Sequence, residues 1–379
     1  MAEYQEQSAL FLNYFYLLLP FAIIISVNMV LNSYNASLFR TALITLWEGV
    51  LTRILFIALI FLYYFNFISL EQFIKLFVSI YLLQMLSMFI FILVKDKPSL
   101  LPNKELIKSV GINKMIGFGL LLTLTNISSL SMKHLDALMI GKYLNLQSVG
   151  IFSVAAYIAL IIEIPLSSME RITHSKVAQA WANNDSESIQ KMYDQSVYYL
   201  LMIGGFLLVG ILCNLKELFT FLPNEYAQGT NVAMIACIGS YLNIATGINT
   251  SILFSSQKYL LGTFALLMLL LLTIGFNLWL IPLYGITGAA LATCIASIIY
   301  NLAKYIIILY YFGMQPFNLK SLKILALTAM VFCVAYFIPS IINPIITIFI
   351  KSAAITVFYS LGVYLIHGHL RIWQWKEEK

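Results

Sequence analysis

Lys133, His134 and Asp136 stand inside an otherwise apolar segment that runs on as Ala-Leu-Met-Ile-Gly to residue 141. Counting back by helical steps, Asn126, Ser129, Lys133 and Asp136 fall at i, i+3, i+7 and i+10, which predicts one polar face on one helix. Charge at membrane depth costs ~2.5–3.5 kcal/mol per group even on lenient insertion scales, so such residues face a protein interior or a wet cavity. Two chemistries fit: contact with a polar cargo or ion, or a buried pair that holds helices in register. His134 lies off the stripe and reads as a packed or hydrogen-bonded ring.

Three further groups carry the same ambiguity. Glu48 and Arg53 sit inside a second apolar run; five residues apart on an α-helix, they point ~140° away from each other, so each is expected to meet a neighbour across the bundle. Arg53 is either one arm of an interhelical ion pair or a guanidinium contact for phosphate or sugar hydroxyls. Glu163 precedes Pro165 by two residues, and a proline inside a helix kinks it and frees a carbonyl, so this pair reads as a hinge or an ion-coupling point. Ser240, Asn243, Gly247 and Thr250 form a stripe of small and polar residues, suited to close helix packing or to lining a cavity. The cysteines (Cys213, Cys237, Cys294, Cys333) show no CxxC spacing and read as small apolar residues. No cofactor or metal is expected, and no HExxH, GxSxG or GxxxxGK[ST] motif occurs, so the chain is not expected to be an enzyme.

The elements that must position these residues are membrane helices. Of 379 residues, 61% are hydrophobic and only 10% charged, against about 25% charged in soluble domains. Apolar runs long enough to cross a bilayer as helix recur near 10–31, 41–65, 71–94, 115–140, 148–170, 195–219, 230–253, 259–282, 287–312, 321–341 and 344–366. The fold class is therefore an all-α polytopic membrane protein of about eleven transmembrane helices. Residues 1–9 contain neither Lys nor Arg, so no cleavable signal peptide is expected. In the loops 95–114 and 172–194, neither is long enough for a folded domain.

The net charge of +6 follows from topology. Arg40, the five lysines of 95–114, Arg171, Lys176, Lys191, Lys258, Lys304, Lys320, Lys323 and the basic tail fall on alternate connections. The opposite set holds only Lys75, Lys142, Lys216 and Lys351. By the positive-inside rule the N-terminus is outside and the C-terminus cytoplasmic, with no nucleic-acid partner implied. Shifting the first spans by 222 residues lays Leu31, Ser33, Leu38 and Thr41 on Leu253, Ser255, Leu260 and Thr263, which suggests a duplicated half-bundle. The expected organisation is an incomplete three-span bundle at 1–97, a cytoplasmic linker at 98–114, a six-helix bundle at 115–312, and a two-helix hairpin with a cytoplasmic tail at 313–379. On this reading the chain is a shortened form of a longer carrier.

Asp136-Ala-Leu-Met-Ile-Gly141 with Val149-Gly150-Ile-Phe-Ser-Val-Ala155 is similar to the middle of bacterial polysaccharide flippases. So is Ile252-Leu-Phe-Ser-Ser-Gln-Lys258-Tyr followed by Asn277-Leu-Trp-Leu-Ile-Pro282-Leu-Tyr-Gly-Ile-Thr-Gly-Ala-Ala-Leu-Ala292-Thr. These flippases share a superfamily with multidrug/toxin extruders and lipid II flippases, and the resemblance covers nearly the whole chain. It implies a two-bundle carrier, here lacking about three N-terminal helices. Such a carrier moves undecaprenyl-pyrophosphate-linked oligosaccharide across the bacterial cytoplasmic (inner) membrane by alternating access, for surface polysaccharide such as lipopolysaccharide. The cavity implied is cationic, which fits Arg53 and Lys133; Asp136, Glu48 and Asn126 complete the expected substrate contacts, with Asp136 or Glu163 balancing those charges or coupling a cation. Glu163 and Pro165 are the ion-coupling or hinge positions. The expected partners are the lipid-linked substrate, the bilayer and a monovalent cation, and the expected state is a monomer. The rivals are a cation-coupled multidrug/toxin extruder of the same fold and a membrane-embedded polysaccharide-assembly enzyme.

Overall fold

The structure is a computed structural model that describes residues 14–38, 40, 44, 46–97, 111, 116, 134–339 and 343–367. In chain order its helices are α1 (Leu18–Ser37, entered through a 3-10 turn at Phe15–Leu17), α2 (Leu46–Tyr64), α3 (Leu70–Asp96), α4 (134–143), α5 (Leu146–Ala182) and α6 (Ser186–Phe219). After a 3-10 turn at Asn224–Gln228 follow α7 (Gly229–Ile244), α8 (Asn249–Phe254), α9 (Tyr259–Phe312), α10 (Leu319–Tyr336) and α11 (Pro344–His367). No strand occurs among the described residues. The expected all-α membrane class is borne out, because a bilayer core leaves backbone groups no partner outside a helix or closed barrel.

Eight described helices are long and apolar enough to cross a membrane. The expected pair 259–282 and 287–312 lies within α9, which turns back on itself at Gly285 (φ 60°, ψ −137°), a backbone region essentially reserved for glycine. The expected span 230–253 is divided into α7 and α8. Most of 115–140 lies outside the described residues.

Local signals set the helix ends. Ser69 and Gln72 form a reciprocal capping box at the start of α3. Asn145, Asp185 and Asn318 cap α5, α6 and α10 by accepting from Ser188 or its equivalents Ser148 and Ser321. The segment after Asp185, within the expected loop 172–194, is the beginning of α6, which runs unbroken for 34 residues.

The chain divides into two compact units, residues 1–120 and 121–379. In the first, α1 and α2 both pack on α3. Arg40 makes a bidentate pair with Asp96 at 2.6 and 2.7 Å, fixing the chain beyond α1 to the end of α3. In the second, α6 is the central post, touching α5, α7, α10 and α11. Its Tyr193, Val197 and Leu201 meet Ile244, Ile248 and Ile252 on one side, and Ile324, Leu327 and Tyr359 belong to the same apolar core. The C-terminal hairpin is stitched to α6 by Lys351, whose Nζ donates to Glu217 Oε1 at 2.8 Å and to the Cys213 carbonyl at 3.1 Å. Both side chains of that ion pair are buried.

Candidate functional site

The interior of the second unit carries a continuous line of polar side chains. The α5 helix supplies Glu163 and Glu170, seven residues apart and hence on one face. Glu163 Oε1 accepts from Ser240 Oγ at 2.9 Å and from Asn243 Nδ2 at 3.4 Å, both on α7. The Asn243 carbonyl oxygen accepts from Asn301 Nδ2 on α9 at 2.9 Å, and Asn301 Oδ1 accepts from Thr246 Oγ1 at 3.2 Å. One turn further along α9, Lys304 Nζ donates to Thr250 Oγ1 at 3.0 Å and lies 4.2 Å from the Tyr300 ring centroid. Glu170 is the acidic group that acts on Lys304, and it also faces Thr250. Lys304 is 2% exposed.

This line crosses the break between α7 and α8. Gly247 has φ +65°, and a Cβ there would lie 2.6 Å from both Ser196 Oγ and Val197 Cγ2. Only glycine fits both the backbone and the space, so the break is written into the sequence. The amide freed at Ile248 donates to Ser196 Oγ at 3.2 Å, and the Ile252 carbonyl of α8 accepts from Trp181 Nε1 at 3.1 Å. A broken helix at membrane depth with its backbone groups re-satisfied is how transporter folds expose polar groups to cargo.

Asp136 sits apart from that line. It is buried on α4 and accepts from Asn277 Nδ2 and Thr293 Oγ1, each at 2.6 Å, on the two arms of α9. Neutral donors thus tie one carboxylate to both arms of the hairpin. His134 is exposed, not packed as expected. Asn126, Ser129 and Lys133 lie outside the described residues.

In the first unit Glu48 and Arg53 line one cleft of about 260 Å³ with Thr52, Phe56, Phe77, Ile80 and Tyr81. The 140° separation expected of an α-helix fails here because Leu46–Leu51 is π-helical. The wider i→i+5 turn swings residues five apart toward a common side, and such turns are frequent at functional sites. Glu48 meets a neighbour as expected, accepting from Asn32 Nδ2 of α1 at 2.5 Å. A second cleft of about 250 Å³ shares Glu48, Thr52 and Tyr81 and adds Asn28, Asn32 and Gln84. Pro165 lies inside α5, which continues through it to Ala182.

Sequence reasoning isolated Glu163, Asn243 and Thr250 but passed over Glu170, Asn277, Thr293, Asn301 and Lys304. Lys304 counted as a loop charge, whereas it lies within α9 and is buried. The signal that would have found it is the spacing of Ser297, Asn301 and Lys304 at i, i+4 and i+7. Asn28, Asn32 and Asn35 repeat that spacing on α1. No group of three or more metal-ligating side chains occurs among the described residues.

These features define a multi-pass helical membrane protein with a buried polar line crossing a broken helix. The family of polysaccharide biosynthesis proteins matches residues 4–218, and the chain belongs to that family. The family expected from the motifs around Asp136 and Gln257 is thereby borne out. The fold is that of a solved structure of "lipid II flippase MurJ, inward closed conformation": TM-score 0.72 at 15% identity, over 92% of this chain and 72% of that one. No curated protein matches the sequence.

Proposed function

We propose that the chain moves undecaprenyl-pyrophosphate-linked oligosaccharide across the bacterial cytoplasmic membrane by alternating access, with its N-terminus outside and its C-terminus in the cytoplasm. Family membership and a flippase-type fold support this reading. The observation that carries it is the polar line from Glu163 to Lys304 beside the α7–α8 break. A diphosphate and sugars cannot cross ~30 Å of hydrocarbon unaided, and the carrier's task is to replace their water with fixed polar groups. No covalent step is needed.

Arg53 and Lys133 supply cationic contacts to the diphosphate, and Glu48 and Asn126 line the approach. Lys304 is a third cation. Glu170 balances it in the resting state, and an arriving diphosphate competes with that carboxylate, so binding is linked to a local rearrangement of charge. Asp136 holds α4 to both arms of α9. Glu163, two residues before Pro165, is the group assigned to sensing a coupling monovalent cation, and Pro165 is the proposed hinge. The prenyl tail stays in lipid.

The test is the leaflet distribution of lipid-linked oligosaccharide in cells carrying Lys304→Met, Lys133→Ala or Arg53→Gln. Each is expected to build up substrate on the cytoplasmic leaflet at normal protein level, with Lys304→Arg retaining part of the activity. The charge-balanced double variant Lys304→Met/Glu170→Gln separates lost folding from lost transport. Full flipping by Lys304→Met and Arg53→Gln alike refutes the electrostatic mechanism. The carboxylates Glu163 and Glu170 favour a second reading, cation-coupled export of cationic amphiphiles; dye efflux that depends on them, without any leaflet defect, would select it.

A further inference from the structure

Helix α3 measures the membrane it crosses. Residues 76–94 hold no charged side chain, and as helix this stretch is about 29 Å long, the thickness of the hydrocarbon layer. Lys75 and Lys95 therefore stand at its two edges, at the level of the lipid headgroups.

The two edges are built differently. Lys75 is neutralised on its own helix by Glu71, Nζ to Oε1 at 2.6 Å. At the other edge the acidic group is Asp96, and both of its oxygens accept from Arg40 at 2.6 and 2.7 Å. Asp96 also takes a hydrogen bond from Tyr34 of α1. Lys95 and Lys97 are exposed, and neither forms an ion pair among the described residues. Three cations thus surround one carboxylate that is already spent.

One ring gathers two of these cations. Phe91, a turn before Lys95, has the Arg40 guanidinium 5.7 Å and the Lys95 ammonium 5.3 Å from its centroid, so the two charges stand within about 11 Å of each other. The ring face holds both by cation–π attraction. Arg40 gives two of its five N–H groups to Asp96 and keeps donors for a further acceptor. On the hydrocarbon side of Lys95, Ile90 and Val94 are 56% and 70% exposed. The corner is cationic above and apolar below.

We propose that this corner binds an anionic phospholipid of the surrounding bilayer, with its phosphodiester on Lys95, Lys97 and the outer edge of Arg40 and its acyl chains along Val94 and Ile90. A soluble phosphate gains the cations but leaves the apolar strip uncovered, which favours a lipid. On the orientation proposed above the corner lies in the cytoplasmic leaflet, where basic segments beside a membrane helix meet anionic headgroups. The bound lipid clamps the chain beyond α1 to the end of α3 from the bilayer side, as Asp96 does from the protein side.

The experiment uses the purified full chain in nanodiscs of phosphatidylcholine, with and without phosphatidylglycerol. Native mass spectrometry reads the ratio of the two lipids that stay bound. A lysine beside an anionic surface is worth about fivefold in that ratio, so Lys95→Met and Lys97→Met should each lower the preference for phosphatidylglycerol about fivefold. Lys95→Arg should keep it, and Lys75→Met should leave it unchanged. The wild type should melt higher with phosphatidylglycerol than without, and the Lys95→Met/Lys97→Met variant should lose that difference while melting with the wild type in pure phosphatidylcholine. A lower melting temperature there makes the lysines structural and refutes the site. An unchanged lipid ratio in the double variant overturns the proposal, as does an equal loss in Lys75→Met, which would mean diffuse surface charge. Protection by inorganic phosphate in pure phosphatidylcholine would make the corner a free-anion site and also overturns it. Neither readout involves transfer between leaflets, so the transport reading stands or falls separately.

Discussion

Replacing Gly247 by alanine tests whether the α7–α8 break is imposed by backbone geometry. An L-residue at φ +65° carries a penalty of about 1–2 kcal/mol for the left-handed conformation. The added methyl would also lie 2.6 Å from Ser196 Oγ and Val197 Cγ2 and 3.3 Å from the Val197 nitrogen. Val197 belongs to the fully buried core, with no room to retreat, so overpacking adds roughly 1–3 kcal/mol. The total is about 2–5 kcal/mol. For a unit of this size that corresponds to a fall in melting temperature of roughly 5–15 °C. The assay is thermal unfolding of the detergent-solubilised protein followed by size-exclusion of the folded fraction. Gly210→Ala is the internal control: it lies inside α6, a Cβ there meets nothing within 4 Å, and helix propensity alone predicts a gain of roughly 0.5–1 kcal/mol. If Gly247→Ala melts with the wild type, the break does not depend on glycine, and the placement of Thr246 and Thr250 against Asn301 and Lys304 needs another cause.

Three other outcomes follow from the contacts. Asp136→Leu leaves the buried Asn277 amide without its acceptor, at about 1–3 kcal/mol, so it should lower thermal stability, and Asn277→Leu should cost less on the Asp136→Leu background than alone. Lys351→Met breaks the buried ion pair with Glu217 and should lower thermal stability, while the double variant with Glu217→Leu should recover part of the loss; thermal unfolding reads both. Hydrogen bonds from the side chain and backbone N–H of Ser188 hold the Asp185 carboxyl below the usual carboxylate range. Its cap therefore stabilises the start of α6 above the carboxyl's unfolded value and is lost as pH falls through the lower folded value; hydrogen exchange at residues 186–190 should speed up over that acid window in wild type and be fast throughout in Asp185→Ala.

The membrane class and the spans were legible because lipid contact writes itself as composition: every helix needs a long apolar run, whatever it packs against. The caps Ser69, Asn145 and Asp185 each act within three residues of themselves, a local signal, although none of them is named in the reading of the sequence above. The site was legible only in part. Glu163, Asn243 and Thr250 stood out as polar residues, but the partners of Glu163 on α7 lie 77 and 80 residues away and those of Asn243 and Thr250 on α9 lie 58 and 54 away, and no periodicity reports such pairings. Lys304 misled because a lysine near a helix end reads as solvent-facing; burial against Thr250, Tyr300 and Glu170 is a tertiary fact. Glu48 and Arg53 misled for a subtler reason, because the angle between them was taken from an α-helix and the chain adopts a π turn there.

The lengths of α5 and α6 have a mechanical consequence. At 37 and 34 residues they reach about 50–55 Å, whereas the hydrocarbon layer is about 30 Å thick. About 20–25 Å of paired helix therefore stands clear of the lipid, closed by the tight corner Asn183–Asp185 and braced on α8 by Trp181 and His174. This makes a rigid handle joined directly to the element that carries Thr250. A rotation of about 15°, the size of many rigid-body switches, sweeps the far end of such a handle through about 6 Å. A spectroscopic label at Asn184 would thus read out, from the aqueous phase, a motion that begins among buried side chains.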